Sequence, residues 1–132
     1  MAKLGSKAGW GENYVQSVTA STTLYASDSG KVFTVATDAL VITLPACEAG
    51  LKFTFVNTGA DGNNIITLSP ASTDGVWGTI TLAGSVVDLG GVDDKDLINT
   101  KGTAIKGDSV TLISDDTDWY VTASTGIWAA ES

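Results

Sequence analysis

The sequence contains no histidine and no arginine, and only one cysteine and two prolines among 132 residues. Without histidine, the commonest general base and the commonest metal ligand are absent, and so are the Ser-His-Asp and Cys-His arrangements of nucleophilic catalysis. Without arginine, and with a net charge of -8, the chain lacks the basic face that binds a phosphate backbone. We therefore expect a protein that is not an enzyme and that does not bind nucleic acid.

Long apolar segments are also missing. No run approaches the roughly 20 residues that a membrane-spanning helix needs, and an acidic surface repels anionic membranes. The N-terminus lacks the apolar middle region of a signal peptide, which predicts synthesis in the cytoplasm. The single Cys47 excludes a disulfide within the chain. It lies in a turn without positive charge, so we expect a small, half-buried residue rather than a reactive thiol.

What the chain does contain is a series of β-strand patterns, and residues 107–123 (GDSVTLISDDTDWYVTA) are the clearest. Apolar residues alternate with polar ones on both sides of a Ser- and Asp-rich turn, which predicts a hairpin with one buried face. Trp119 is the largest apolar group that this hairpin offers to a core. The rest of the chain is interpreted as further strands that pack against it.

Residues 51–56 alternate cleanly, with Leu51, Phe53 and Phe55 on one side. The Asp61-Gly62 pair that follows predicts a hairpin to residues 65–68, so these two strands are expected to be antiparallel neighbours. Helical spacing of apolar residues is nearly absent. Short strands separated by frequent turns predict an all-β fold, an antiparallel β-sandwich with a barrel as the open alternative. The other predicted strands are 22–25, 31–36, 40–44, 79–82 and 85–89, with a last one near residues 125–128.

Residues 1–20 show neither the two-residue period of a strand nor the 3.6-residue period of a helix. They are predicted to form an extended N-terminal arm, with residues 21–132 as the β-sandwich body. Two interpretations remain open: a frayed terminus, or an arm that orders against a partner through aromatic anchors. Two lysines make this end locally basic, which suits docking on an acidic neighbour. The candidate partner-binding residues are Lys3, Leu4, Lys7, Trp10 and Tyr14 of the arm, and Trp128 of the tail.

Two aspartate clusters are candidates for cation binding. Loop carboxylates suit Ca²⁺, which takes six to eight or so oxygen ligands, but the spacing does not fit an EF-hand loop. Solvated acidic loops are the favoured interpretation, and no metal site is predicted. The clusters are Asp88, Asp93, Asp94 and Asp96, and then Asp115, Asp116 and Asp118.

The sequence gives little support to glycoside hydrolysis, phosphate binding or sugar binding. Glycoside hydrolysis by paired carboxylates is disfavoured because Glu12, Glu48 and Glu131 all lie outside apolar strands. No glycine-rich phosphate motif is present, so neither a catalytic residue nor a cofactor is predicted. Four tryptophans permit sugar binding, with Trp77 and Trp128 as candidates, although packing in the core or in a subunit interface is favoured.

Five stretches carry a resemblance to a known group of proteins: residues 24–33 (LYASDSGKVF), 42–45 (ITLP), 50–57 (GLKFTFVN), 107–112 (GDSVTL) and 119–121 (WYV). Together they resemble small β-rich structural proteins of tailed bacteriophages, in particular the capsid decoration, or cement, proteins. The likeness covers roughly residues 24–128.

The resemblance implies a jelly-roll-like β-sandwich that forms a homo-oligomer, a trimer or alternatively a dimer. It further implies binding to adjacent major capsid protein subunits on the outer surface of the virion, which stabilises the mature head, and it implies no catalytic residue. The alternative is a phage tail or fibre adhesin module that binds cell-surface glycan through Trp77 or Trp128.

Overall fold

The computed structural model describes residues 14–82 and 84–131. Its regular structure in these ranges is all β, apart from two single-turn 3-10 helices at Ala26–Asp28 and Lys101–Thr103. The strands are β1 (Val15–Val18), β2 (Thr22–Thr23), β3 (Val32–Val35), β4 (Leu40–Thr43), β5 (Lys52–Asn57), β6 (Ile66–Ser69), β7 (Val76–Trp77), β8 (Thr79–Leu82), β9 (Ser85–Asp88), β10 (Leu97–Asn99), β11 (Ser109–Ser114), β12 (Trp119–Thr125) and β13 (Ala129–Ala130).

Two main sheets form the body, which confirms the predicted all-β, sandwich-like class. The first sheet has six strands in the order β1-β3-β5-β11-β12-β7. The second has five, in the order β13-β10-β6-β4-β2. Strands β8 and β9 form a separate two-stranded ribbon. Each main sheet turns its apolar side chains toward a shared core, as the alternating burial along β5 of the first sheet and β6 of the second shows.

Residues 14–69, the wound half, pass back and forth between the two sheets. Strands β1, β3 and β5 enter the first sheet, whereas β2, β4 and β6 enter the second. Neighbours within each sheet are consequently parallel: Val15 lies beside Val32, and Val32 beside Thr54. The second sheet repeats this pattern, with Thr22 beside Ile42. The chain therefore winds around the core and enters the two sheets alternately, as in a short β-solenoid.

Residues 76–130, the hairpin half, contain two antiparallel hairpins, β8 with β9 and β11 with β12, and one parallel pair, β7 with β12. Strands β11 and β12 form the predicted antiparallel hairpin, and Trp119 is fully buried beside its turn, so this prediction is confirmed. The two halves meet in both sheets through antiparallel pairs, β5 with β11 and β6 with β10. Each half thus contributes strands to the same two layers.

The purely antiparallel arrangement predicted from the sequence is wrong, because the sheets are mixed. The hairpin predicted at Asp61-Gly62 is also wrong, since β5 and β6 lie in different sheets. The turn does form, with Gly62 at a φ of 67°, but the Gly62 amide donates to the carbonyl of Ala104 in the other half. The connection is used to cross between layers rather than to reverse a strand. The parallel windings also depart from a jelly roll, whose two Greek keys are antiparallel.

Aromatic rings fill the space between the layers. The ring centroids of Phe33 and Phe55 are 5.7 Å apart, and those of Phe53 and Trp119 are also 5.7 Å apart. Burying a side chain of this size contributes about 1.5–3 kcal/mol. Since Phe33, Phe53 and Phe55 come from the wound half and Trp119 from the hairpin half, one core joins the two.

The boundary expected at residue 20 does not separate an arm from the body within the described chain. Residues Val15–Val18 already form β1, and the amide of Val32 donates to the carbonyl of Tyr14 at 2.8 Å. The end of β1 carries the buried Val18. The described residues of the expected arm are therefore part of the first sheet.

Candidate partner-binding surfaces

The structure separates the predicted partner-binding residues. Lys3, Leu4, Lys7 and Trp10 lie outside the described residues. Tyr14 lies at the start of β1, with 39% of its surface exposed.

Trp128 is placed in the core rather than on the surface. Its exposed fraction is 0%, and its indole nitrogen donates to the carbonyl of Thr125 at 3.1 Å. A large apolar ring with its polar atom satisfied internally stabilises the fold and has no surface to offer a partner. Trp128 is therefore not available as a contact residue in this fold.

The edge where the winding begins is the first candidate surface. We call residues 14–25 the open edge; they comprise β1, β2 and the connection between them. Among the strands of the described residues, β1 pairs only with β3, and β2 only with β4. One side of each strand therefore presents backbone N–H and C=O groups without a strand partner.

A cavity of about 410 Å³ lies at the open edge, lined by residues 16–25 together with Asp28 and Phe33. The 39% exposed Tyr14 lies two residues before Gln16 on the same edge, and the 66% exposed Tyr25 lines this cavity. The Nζ of Lys31 closes one flank of it by donating to Asp28 at 2.9 Å and to Gln16 at 3.3 Å. The open edge thus combines unpaired backbone with exposed aromatic groups.

The second candidate surface lies at the opposite edge of the first sheet. We call Trp77, Asp115, Asp118 and Tyr120 the aromatic corner. Trp77 and Tyr120 are register partners on β7 and β12, so their side chains project from the same face. The residue before each of them is buried, which leaves both rings on the outer face.

The indole of Trp77 is held in place although it is 41% exposed. Its Nε1 donates to Oδ2 of Asp118 at 3.0 Å, and the Asp118 Oδ1 accepts the amide of Gly75 at 2.9 Å. Gly91 lies directly against the ring, because a Cβ at that position would stand 2.0 Å from Cε2 of Trp77. A glycine and a carboxylate therefore fix the orientation of an exposed ring.

Asp115 holds the turn between β11 and β12 together by accepting hydrogen bonds. Its Oδ1 accepts the amides of Asp118 and Thr117, each at 2.8 Å, and its Oδ2 accepts the hydroxyl of Tyr120 at 3.0 Å. The Asp118 and Thr117 amides are the main reason that the pKa of Asp115 falls to about 2. Donation to Asp115 in turn raises the pKa of Tyr120. The corner is thus anionic at neutral pH.

A buried polar network joins the two halves, and its role is structural. The Asn57 amide group donates to Asn99 at 2.7 Å, and Asn99 donates to Asp108 at 3.1 Å. Asn64 donates to Asn57 at 3.0 Å. All four side chains are at most 3% exposed. No signal in the sequence predicted that these residues meet, because each belongs to a different loop or strand end.

The first aspartate cluster does not assemble into a metal site. Within the described ranges, no group of three or more acidic or cysteine side chains is placed to hold a metal ion. Asp88 instead accepts the amide of Gly90 at 2.9 Å, and the amide of Asp96 donates to Glu131 at 3.2 Å. Partial burial is the main cause that raises the pKa of Asp96.

Cys47 is half-buried and packs against the core, in keeping with the sequence-based expectation. Burial, followed by the neighbouring Asp74 carboxylate, raises the pKa of its thiol. The thiolate is therefore disfavoured, and with it nucleophilic chemistry at this residue. No helix in the described part of the chain is long and apolar enough to cross a membrane.

The chain was compared with protein-family models, with curated proteins and with solved structures, and none of them matches. A proposal about function must accordingly be based on the two surfaces and on the resemblance of its motifs.

Proposed function

We propose that this protein is a decoration, or cement, protein of tailed-bacteriophage capsids. In this proposal it binds adjacent major capsid protein subunits on the outer surface of the head and holds them together. The proposal begins from the resemblance of residues 24–128 to phage structural proteins. The observation that carries it furthest is the open edge.

The amino-acid composition of the open edge lacks two of the features that normally protect exposed strands. Natural edge strands are guarded by lysine, proline, bulges or a covering segment, since unpaired backbone otherwise recruits another chain. Residues 14–25 contain no proline and no charged residue, on a protein with a net charge of -8. An unguarded edge of this kind suits strand addition, in which backbone hydrogen bonds give affinity and neighbouring side chains give specificity.

Stabilisation of the head would follow from mass action. A protein that binds the assembled shell and not its free subunits shifts the equilibrium toward the shell. A capsid repeats the same binding site many times, so a trimeric or dimeric decoration protein gains affinity from each additional contact. No chemical step is needed, which agrees with the absence of histidine and of a predicted catalytic residue.

The test is co-sedimentation with undecorated phage heads. The full chain is expected to sediment with the heads, and the double variant Ser17→Lys/Thr22→Lys is expected to bind on the order of tenfold more weakly or worse. The added lysines place charge on the open edge without entering the core. The control is Thr79→Lys/Val86→Lys, which adds the same charge on exposed positions of the ribbon. Equal binding by both variants would exclude the open edge, and no binding by the full chain would end the proposal.

The arm requires a separate deletion. Because β1 begins at Val15, removing residues 2–13 deletes none of the described strands, whereas a deletion to residue 20 would remove β1. Weaker head binding by the shorter deletion would assign a role to Lys3, Leu4, Lys7 and Trp10. Undiminished binding would remove that role.

The alternative, a tail or fibre adhesin module that binds glycan, now depends on Trp77, because Trp128 is buried. The exposed ring of Trp77 is the observation that favours it. Titration with host polysaccharide, followed by tryptophan fluorescence, separates the two functions. Saturable binding that is lost in Trp77→Leu would favour the adhesin.

A further inference from the structure

A row of apolar side chains crosses the outer face of the first sheet at the aromatic corner. Trp77 on β7 is in register with Tyr120 on β12, and Tyr120 is in register with Ile113 on β11. With strands spaced by about 4.8 Å, the row is about 10 Å wide. Ile113 is 38% exposed and Trp77 is 41% exposed. Single exposed apolar residues need no explanation, but a contiguous row is typical of a contact surface.

The row is rigid before any partner arrives. The Trp77 ring is fixed by its hydrogen bond to Asp118 and by the backbone of Gly91, and Tyr120 is fixed by its bond to Asp115. A partner therefore binds without the entropic cost of ordering these rings.

The polar groups around the rings restrict the chemistry of that partner. The N–H of Trp77 and the O–H of Tyr120 are both already donated, to Asp118 and to Asp115. What remains at the turn are carboxylate oxygens, including those of the exposed Asp116, and these only accept. A sugar hydroxyl offers a donor and seeks one in return, whereas a cation brings donors alone.

The negative charge of the aromatic corner also favours a cationic partner. The ion pairs in the described chain join Lys31 to Asp28 and Lys101 to Asp38, and neither involves the aromatic corner. The corner therefore carries negative charge on a protein that is already at -8. Lys52, in register with Ile113, lies at the far end of the row and leaves the Trp77 end as the more negative one.

From this arrangement we propose that the aromatic corner binds a cationic side chain of a partner protein, with an arginine as the best fit. The guanidinium plane would stack on the exposed face of Trp77 while its N–H groups reach Asp118 and Asp116. The inference does not depend on the capsid function, because any partner with an exposed arginine segment would satisfy it.

The first experiment uses the full chain and a short acetylated, amidated Gly-Arg-Gly-Arg-Gly peptide. Its control is the same peptide with citrulline, which has the shape of arginine without the charge. The readout is the indole N–H signal of Trp77 in NMR, assigned by its loss in Trp77→Leu. We expect a saturable shift with the arginine peptide, no shift with citrulline, and weaker binding at high salt.

Variants locate the site. Trp77→Leu should weaken binding of the arginine peptide by about two- to thirtyfold, the range implied by a cation–π contact, with affinity then followed on the peptide signals. Tyr25→Leu removes an exposed aromatic ring at the opposite edge and should leave affinity unchanged. Asp116→Asn removes only charge, at a position with no structural bond to lose, and should weaken binding by a smaller factor. The Asp116→Asn variant keeps the test valid even if Trp77→Leu perturbs the fold.

Three outcomes would overturn the proposal. The arginine peptide fails to shift the Trp77 signal, or the citrulline peptide shifts it equally. Binding persists unchanged in Trp77→Leu and Asp116→Asn. A neutral oligosaccharide shifts the signal where the arginine peptide does not, which would assign the corner to glycan instead.

Discussion

The wound half and the hairpin half build the same two layers by different routes. In residues 14–69 each strand pairs with one that lies a full turn of the winding away, and the pairs are parallel. In the hairpin half, β11 and β12 are joined by a short turn and are antiparallel. Core packing does not distinguish the halves, since both contribute rings to one aromatic cluster. What differs is that only the hairpin half contains strands paired across a short turn, β8 with β9 and β11 with β12, among the described residues.

The strongest test of that comparison removes one core ring from each half. Phe33→Ala and Trp119→Ala should each lower the free energy of unfolding by about 3–5 kcal/mol, since both side chains are at most 1% exposed. Denaturant unfolding followed by circular dichroism and by fluorescence measures this. If the halves share one core, both probes should report a single transition in each variant. Two separated transitions in either one would show that the halves unfold independently.

The polar network provides a second test, directed at the junction. Asn57 belongs to the wound half and Asn99 to the hairpin half, and their side chains are hydrogen-bonded at 2.7 Å. Asn57→Ala should cost about 1–3 kcal/mol for each buried group left unpaired. A double-mutant cycle with Asn99→Ala should give a coupling free energy within about 0.5–3 kcal/mol. Strictly additive effects would contradict a direct link between the halves here.

Glycines give a smaller contrast between the halves. Both Gly30 and Gly91 have a positive φ, of 92° and 63°, so alanine is strained at either position by about 1–2 kcal/mol. A Cβ at Gly30 meets nothing within 4 Å, whereas at Gly91 it meets the Trp77 ring. Gly91→Ala should therefore cost about 1–3 kcal/mol more than Gly30→Ala and should displace the indole. Equal unfolding free energies, with the Trp77 signal unmoved, would argue against this close contact.

The smallest expected effect concerns pH at the β11–β12 turn. The pKa of Asp115 is lowered from 3.8 to about 2, so its bonds stabilise the fold fully above pH 4 or so, and this stabilisation is lost as the pH falls toward 2. Asp115→Asn should flatten the pH dependence of stability in that interval. Unfolding midpoints of both proteins, measured from pH 5 to pH 2, check this. Parallel curves would mean that the Asp115 carboxylate does not contribute to the pH dependence.

The sequence predicted the hairpin half better than the wound half for a physical reason. A hairpin is specified by neighbouring residues: an alternating strand, a turn rich in Asp and Ser, and a second strand. The alternation of β5 is equally clear, but a period of two is the same in parallel and antiparallel sheets. Which strand lies beside which depends on packing between distant residues. Asp61-Gly62 illustrates this, because its turn chemistry is real although its flanking strands enter different layers.

The surfaces were predictable to different degrees. Trp77 stood out as a tryptophan in a loop, but its restraint by Gly91 and Asp118 joins three separate stretches of chain and leaves no local signal. Trp128 was a candidate contact residue because it lies in the tail. Position along the chain says little about burial, and this ring packs inside. The open edge could not be anticipated, since an edge exists only once the pairing order is known.

The two ends of the sandwich are unlike, and this limits how copies of the molecule can join. The first sheet ends in the four-residue β1 at the open edge and in the two-residue β7 at the far end, where the tail also meets the ribbon through the pairing of Thr81 with Ile127. Strand addition to the first sheet is thus better supported at one end than at the other. Head-to-tail stacking of copies into an endless filament would need both ends, so this asymmetry disfavours such growth through the first sheet.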